Sequence, residues 1–186
     1  SGLDRPAALM RQHARGADLI VARRTPPGAS STNLCHPADL ILGSGAPVLL
    51  APKGAPALEA RRIVVAWKDA AEARRALADA LPFLARAETV ILVAFCPAAA
   101  QAQAAEDLQE VVARLSRHGI KADVLVGKAS AASIATDLEN AAAAHGADLV
   151  VAGAYSHSRL NEWVLGGGTA DLLADAAQRI VEAACI

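Results

Sequence analysis

Short apolar segments alternate with longer segments of helical periodicity in the second two thirds of the chain. The segments that predict buried strands are 62–67, 89–95, 121–126 and 148–152. The segments that predict helices are 72–85, 104–117 and 131–145, followed by a last helix at 168–176 and a weak fifth strand at 178–182. Because the strands are continuous apolar runs that alternate with helices, the pattern predicts an α/β fold with a doubly wound parallel sheet.

Part of this pattern also occurs before residue 53. The elements predicted there are a helix at 6–14, a strand at 18–22, a helix at 37–42 and a strand at 47–50. The sequence GADLIVA at 16–22 recurs as GADLVVA at 146–152, and ADLI at 38–41 recurs as ADLL at 170–173. The period of about 130 residues has the size of a domain. We therefore interpret 1–53 as a partial first copy that lacks three strands, 54–60 as a linker and 61–186 as a complete copy.

Composition and charge exclude several functions. A net charge of -1 and a pI of about 6.5 do not provide the basic surface that nucleic acids require, so no nucleic-acid partner is expected. The longest uncharged stretch, 89–105, contains Pro97 and is too short to span a membrane. Asp4 and Arg5 precede any apolar run, so no signal peptide is expected. The three cysteines do not have the spacing of metal ligands. We expect a cytoplasmic protein with reduced thiols and no membrane partner.

A glycine-rich loop after the fourth strand is the first candidate site. Glycines and the start of a helix expose backbone N–H groups that can cradle a phosphate, although a loop also uses glycines simply to turn. The residues that would form this site are Gly153, Ser156, His157, Gly166, Gly167, Gly168 and Thr169.

Asp69, after the first strand of the complete copy, is the second candidate. It lies at the same edge of the predicted sheet and has the acceptor oxygens for a base or a ribose. The spacing of Asp69 and Glu72 also fits a capping box, so Asp69 is interpreted as a helix cap as well.

Catalytic and metal sites are not predicted. Ser156 and His157 are adjacent, and no acid that would orient the histidine is evident. Cys35 and His36 lack a third ligand. We expect no catalytic residues and no metal other than Mg²⁺ that accompanies a nucleotide.

Several of these segments together resemble a known family. They are the strand at 62–67, Gly127, the segments 146–153 and 158–160, and the glycine-rich segment 166–169. Their order and spacing resemble the universal stress proteins, and the two copies resemble the tandem-repeat members. The resemblance implies a Rossmann-like five-stranded sheet of order 3-2-1-4-5, with a partial second copy, and a homodimer through the edges of the fifth strands.

The resemblance also implies an ATP site with a defined glycine pattern. Members that bind ATP have Gly-x2-Gly-x9-Gly-Ser/Thr after the fourth strand and an Asp after the first strand that meets the adenine. Gly153 and Gly166 match this pattern, whereas Ser156 and Gly167 depart from it and Thr169 follows two residues later. Asp69 matches the Asp, and Gly127 follows the third strand. The equivalent loop of the first copy, 23–36, has a single glycine and is not expected to bind nucleotide.

The function implied is a non-catalytic role in stress response through dimerisation and adenine-nucleotide sensing. An ATP-binding member with slow hydrolysis and a partner-binding module with a degenerate pocket are the alternatives. With the implied strand order, the strand at 18–22 has an unpaired apolar edge. We expect a partner or a longer native chain to cover this edge, and the strand at 48–50 to pair with the complete copy or with a second chain.

Overall fold

A computed structural model describes residues 6–23, 37–52, 54, 57–130, 134–153 and 181–185. The helices are α1 (Pro6–Ala14), α2 (Pro37–Ser44), α3 (Ala71–Leu84), α4 (Gln101–Ser116) and α5 (Ile134–Ala144), and a short 3-10 turn (Ala98–Ala100) precedes α4. The strands are β1 (Ile20–Arg23), β2 (Val48–Ala51), β3 (Arg62–Ala66), β4 (Thr89–Cys96), β5 (Asp123–Lys128), β6 (Leu149–Gly153) and β7 (Val181–Cys185). None of the helices in these ranges is long and apolar enough to cross a membrane.

The strands form one seven-stranded sheet in the order β1-β2-β7-β6-β3-β4-β5. Neighbouring strands are parallel from β7 to β5, and β1 is parallel to β2. Only the pair β2–β7 is antiparallel among the described strands. The predicted α/β fold with parallel strands is therefore confirmed.

Helices cover both faces of the parallel strands, as continuous apolar strands require. Along β3, Ile63 and Val65 face α3 and α4, whereas Val64 faces α5. The fully buried residues on the α3 and α4 face include Leu77, Leu92, Leu108, Leu115, Leu149 and Val151. Those on the α5 face include Leu138, Ala142 and Val150.

The N-terminal elements form a separate small core on one face of β1 and β2. The buried residues of this core are Ala14, Ile20, Leu40, Ile41, Ala46, Val48 and Leu50. Ile20 packs towards α1 and α2 just as Val150, 130 residues later, packs towards α5. Among the described residues, helices α1 and α2 cover this one face of β1 and β2.

The antiparallel junction between β2 and β7 is pseudo-symmetric. Val21 pairs with Leu49, and Val151, its equivalent in the repeat, pairs with Ala183. Leu49 and Ala183 are thus equivalent, and they are also direct partners across the junction. Equivalent residues that face each other define an approximate twofold axis, which passes through this pair. The two fifth strands are therefore joined within the chain.

Several predicted element bounds shift in the structure. The third strand of the complete copy begins at Asp123 rather than residue 121, and the fifth begins at Val181 rather than residue 178. Helix α4 begins at Gln101, three residues earlier than predicted, because the chain already turns in the 3-10 segment. At the start of α5 Ile134 is exposed, whereas Leu138, Ala141 and Ala142 are buried. The last predicted helix, 168–176, lies outside the described residues.

Candidate functional site

The strand order reverses between β3 and β6. From β3 the chain adds β4 and then β5 on one side, and from β6 it adds β7 on the other. In a parallel α/β sheet, the crevice beyond the carboxyl ends of two such strands is where ligands bind. Trp67, Lys68 and Asp69 follow β3 directly, and β6 ends at Gly153. The two sequence-predicted residues Asp69 and Gly153 therefore follow neighbouring strands at one edge of the sheet.

Asp69 does not cap the helix that follows it. Helix α3 begins at Ala71, its N-cap is Ala70, and no side chain bonds to the N-terminal N–H groups. Asp69 instead forms an ion pair with Arg74, in which the guanidinium Nη1 donates to the carboxylate Oδ1. The capping prediction is wrong because the helix begins one residue later than the Asp69–Glu72 spacing requires.

The carboxylate of Asp69 remains accessible to a ligand. Its side chain is 67% exposed and that of Arg74 is 51% exposed, so the pair is solvated and weak. Only one carboxylate oxygen takes part in the hydrogen bond to Arg74. The other oxygen can accept a hydrogen bond from a hydroxyl or amino group.

Gly153 lies against the first turn of α3. A Cβ atom at this position would lie 2.7 Å from the backbone N of Ala73 and 2.7 Å from the carbonyl carbon of Glu72. It would also lie 3.0 Å from Cγ of Glu72. Backbone atoms cannot move out of the way cheaply, so packing against α3 alone requires glycine here. The acidic Glu72 beside it does not favour a phosphate at this point.

Gly127 lies on β5, and β4 separates it from β3. Its direct partner on β4 is Phe95, and a Cβ at Gly127 would lie 2.6 Å from Cε1 of that ring. The glycine therefore makes room for an aromatic side chain that covers it, an arrangement known to stabilise glycines in strands. In the sequence, the aromatic residue Phe95 in the neighbouring strand is the feature that indicates this packing role of Gly127.

Trp67 directly follows β3, at the carboxyl end of that strand. Its side chain packs against the core under α3 and α4. The indole Nε1 is buried and has no hydrogen-bond acceptor among the described residues. A buried donor without an acceptor costs about 1–3 kcal/mol, so an acceptor brought to it would be stabilising.

The rest of the predicted site falls in the segment 154–180, outside the described residues. These residues are Ser156, His157, Gly166, Gly167, Gly168 and Thr169. Within the described ranges, no group of three or more His, Cys, Asp or Glu side chains could hold a metal ion.

No protein-family model matches the sequence, and no curated protein is similar to it. Solved structures do resemble the fold. A universal stress protein from Archaeoglobus fulgidus DSM 4304 matches with a TM-score of 0.68 and 13% sequence identity, over 97% of this chain. A protein described as a putative universal stress protein from Pseudomonas aeruginosa UCBPP-PA14 matches with a TM-score of 0.54 and 17% identity, over 95% of this chain.

A functionally unknown protein from Pseudomonas aeruginosa PAO1 is similar to the same extent, with a TM-score of 0.53 and 16% identity over 96% of this chain. In all three cases this chain spans 66% of the length of the matched chain. At these identities the likeness concerns the fold. The chain therefore has the α/β fold that is found in universal stress proteins.

Proposed function

We propose that this chain is a tandem-type universal stress protein with a truncated first repeat, and that it acts in the cytoplasm without catalysing a reaction. The fold likeness supports this proposal, and so does the pseudo-symmetric junction of β2 and β7. The repeat-equivalent positions Val21 and Val151 have equivalent pairing partners, as two copies of one domain would.

The complete copy is proposed to be a five-stranded sheet of order 3-2-1-4-5. Numbering its strands along the chain from β3, the observed neighbours β5-β4-β3-β6-β7 support that order. In this arrangement the crevice between β3 and β6 belongs to the complete copy.

We further propose that this crevice binds an adenine nucleotide, with Asp69 as the acceptor for the adenine or the ribose. The observation that carries the proposal is the position of Asp69 at the carboxyl end of β3, where the strand order reverses. The start of α3 also faces this edge, and its first N–H groups have no side-chain cap. Trp67 adds a buried donor two residues before Asp69.

Glu72 favours a second candidate, in which the crevice is closed and the chain works only by binding a partner. Its Cγ would lie 3.0 Å from a Cβ at Gly153, so an acidic side chain, which repels a phosphate, lies beside the start of the predicted loop. The glycines of the predicted phosphate loop, Gly166, Gly167 and Gly168, remain part of the nucleotide proposal together with Thr169.

A thermal shift with Mg-ATP discriminates between the two candidates. At 100 times the dissociation constant, binding adds about 2.7 kcal/mol of stability, or roughly 5–10 °C in Tm for a chain of this size. Asp69→Ala should reduce the shift, while the control Asp123→Ala, an exposed carboxylate on β5, should retain it. The absence of a Tm shift at millimolar ATP would contradict nucleotide binding and favour the second candidate, in which the crevice is closed and the chain binds a partner.

A homodimer through the edges of the fifth strands stays a prediction, and the observed sheet restricts how it could form. Strand β7 has β6 and β2 as neighbours, and β2 has β1 and β7, so neither fifth strand has a free edge. A dimer of that kind would have to exchange β2 or β7 between two chains, as in domain swapping.

A further inference from the structure

The first turn of α3 lies across the crevice between the carboxyl ends of β3 and β6. Helix α3 follows β3 in the chain, but it packs against β6. Its first turn reaches Gly153, the last residue of β6, because a Cβ there would lie 2.7 Å from the backbone N of Ala73 and 2.7 Å from the carbonyl carbon of Glu72. A ligand that lies between the ends of these two strands therefore meets the start of α3.

Glu72 brings a carboxylate to this crevice. It belongs to the first turn of α3, and its Cγ would lie 3.0 Å from a Cβ at Gly153. The carboxylate oxygens are two bonds beyond Cγ, so they lie close to the end of β6, where the predicted glycine-rich loop begins. The side chain is half-buried, and its charge is therefore screened less by water and salt than that of an exposed group.

The charge of Glu72 is not neutralised by an ion pair in the part of the chain that the structure describes. Glu72 has no hydrogen-bond or ion-pair partner there, because Arg74 in the same turn binds Asp69 instead. Lys68 and Arg75 are exposed, so the solvent screens their charges more strongly. A ligand in the crevice therefore meets the negative charge of Glu72.

This charge acts differently on the two ends of an adenine nucleotide. The start of a helix ordinarily attracts phosphate through its free N–H groups and its dipole. At α3 the acidic side chain in the first turn offsets that dipole and repels a second anion. The adenosine part of a nucleotide has no charge, so the repulsion acts on the phosphates alone.

We propose that Glu72 determines the ligand class of this crevice, and that it selects adenine nucleosides without a 5′-polyphosphate over ATP. The inference rests on the proposed adenine site and narrows the ligand of that site. Asp69 accepts a hydrogen bond from the base or the ribose, which a neutral nucleoside provides as well as ATP does. Glu72 disfavours the triphosphate and attracts a positively charged 5′ group.

Three ligands that share the adenosine part test the effect of charge directly. They are 5′-amino-5′-deoxyadenosine, which is a cation at neutral pH, adenosine, which is neutral, and ATP, which is an anion. Isothermal titration calorimetry of the full chain at low salt should give affinities that fall in this order. ATP should bind at least about fivefold more weakly than adenosine, and the difference should narrow at about 0.5 M salt, because mobile ions screen the repulsion.

Two variants assign the effect to Glu72. Glu72→Gln removes the charge and keeps the size of the side chain. It should tighten the binding of ATP about fivefold, weaken that of the amino derivative by a similar factor, and change that of adenosine by less than about twofold. Glu110→Gln is the matched control, because Glu110 is exposed in the second half of α4, and it should change none of the three affinities. Circular dichroism checks that both variants keep the fold.

Failure of this inference can be distinguished from failure of the proposed function. If ATP binds the wild type at least as tightly as adenosine does, or if Glu72→Gln leaves the ratio of the two affinities unchanged, the inference is wrong and the adenine site stands. If none of the three ligands binds the wild type or Glu72→Gln at millimolar concentration, the adenine site is wrong and the inference falls with it. Binding of ATP to Glu72→Gln alone, with adenosine bound by both proteins, would support both.

Discussion

At the scale of single residues, packing contacts explain why two positions of the candidate site are glycines. Gly153 touches the backbone of α3 and Gly127 lies under the ring of Phe95, so both positions have a packing reason to lack a side chain. Asp69 differs from them, because its ion pair with Arg74 is exposed and leaves an oxygen for a ligand. Of the described candidates, Asp69 is therefore the residue whose substitution tests binding without disturbing the core.

Gly153→Ala should destabilise the fold by about 1–3 kcal/mol, because the added methyl group meets the backbone of Ala73 and Glu72. Urea denaturation measures the free energy of unfolding. The control is Gly16→Ala, where nothing lies within 4 Å of the new Cβ and the change should be within about 0.5 kcal/mol. Equal stability of the two variants would contradict the close approach of β6 and α3.

Gly127→Ala should destabilise less when the ring above it is reduced in size. The single variant forces Phe95 to move, at a cost of about 1–2 kcal/mol, and Phe95→Leu in the same chain should recover part of that cost. A double-mutant cycle of unfolding free energies gives the coupling between the two positions. Additive effects would show that the ring does not lie over Gly127.

At the scale of elements, the repeated GAD sequence has a structural reason that its hydrophobic pattern does not reveal. The carboxylate of Asp148, in the second GAD sequence, accepts hydrogen bonds from the N–H groups of Arg61 and Arg62 at the start of β3, 87 and 86 residues away in the sequence. Strand and helix types were predictable because periodicity and β-branched content are local. The ends of these elements were less predictable: Asp69 does not cap α3, because the helix begins one residue later and its N-cap is Ala70, and the carboxylate of Asp69 binds Arg74 instead.

Asp148→Asn should destabilise the fold by about 1–2 kcal/mol, since the amide has a single acceptor for two N–H groups and carries no charge. Asp18→Asn is the matched change in the first GAD sequence and should be nearly neutral, because Asp18 is exposed and has no hydrogen-bond or ion-pair partner among the described residues. Chemical denaturation compares the two variants. A loss of the same size in both would contradict the stabilising role of the two hydrogen bonds that Asp148 accepts.

At the scale of the whole molecule, the pairing of β2 with β7 joins the N-terminal strands β1 and β2 to the other five strands in a single sheet. The junction places Leu49, which is buried, against the core formed under α3 and α4. Val48 and Leu50 of the same strand belong to the small N-terminal core on the other face, so β2 takes part in both cores. The two parts are therefore expected to unfold together.

Leu49→Ala should lower the stability of both parts at once, by about 2–4 kcal/mol. Both tryptophans lie in residues 61–186, so their fluorescence follows the complete copy, while far-ultraviolet circular dichroism follows all helices. The two midpoints should coincide in the wild type and move together in the variant. Val21→Ala, at an exposed position, is the control, and separate midpoints would mean that the partial copy unfolds alone.

The sequence by itself determined the types of the elements, the repeat and the parallel α/β fold, because hydrophobic periodicity and a 130-residue recurrence are properties of the chain order. Only the tertiary structure decided that β2 and β7 pair with each other, that Gly153 is pressed against α3, and that Asp148 binds the backbone at the start of β3. These contacts join residues that are far apart in sequence. A local pattern carries no information about which surfaces meet.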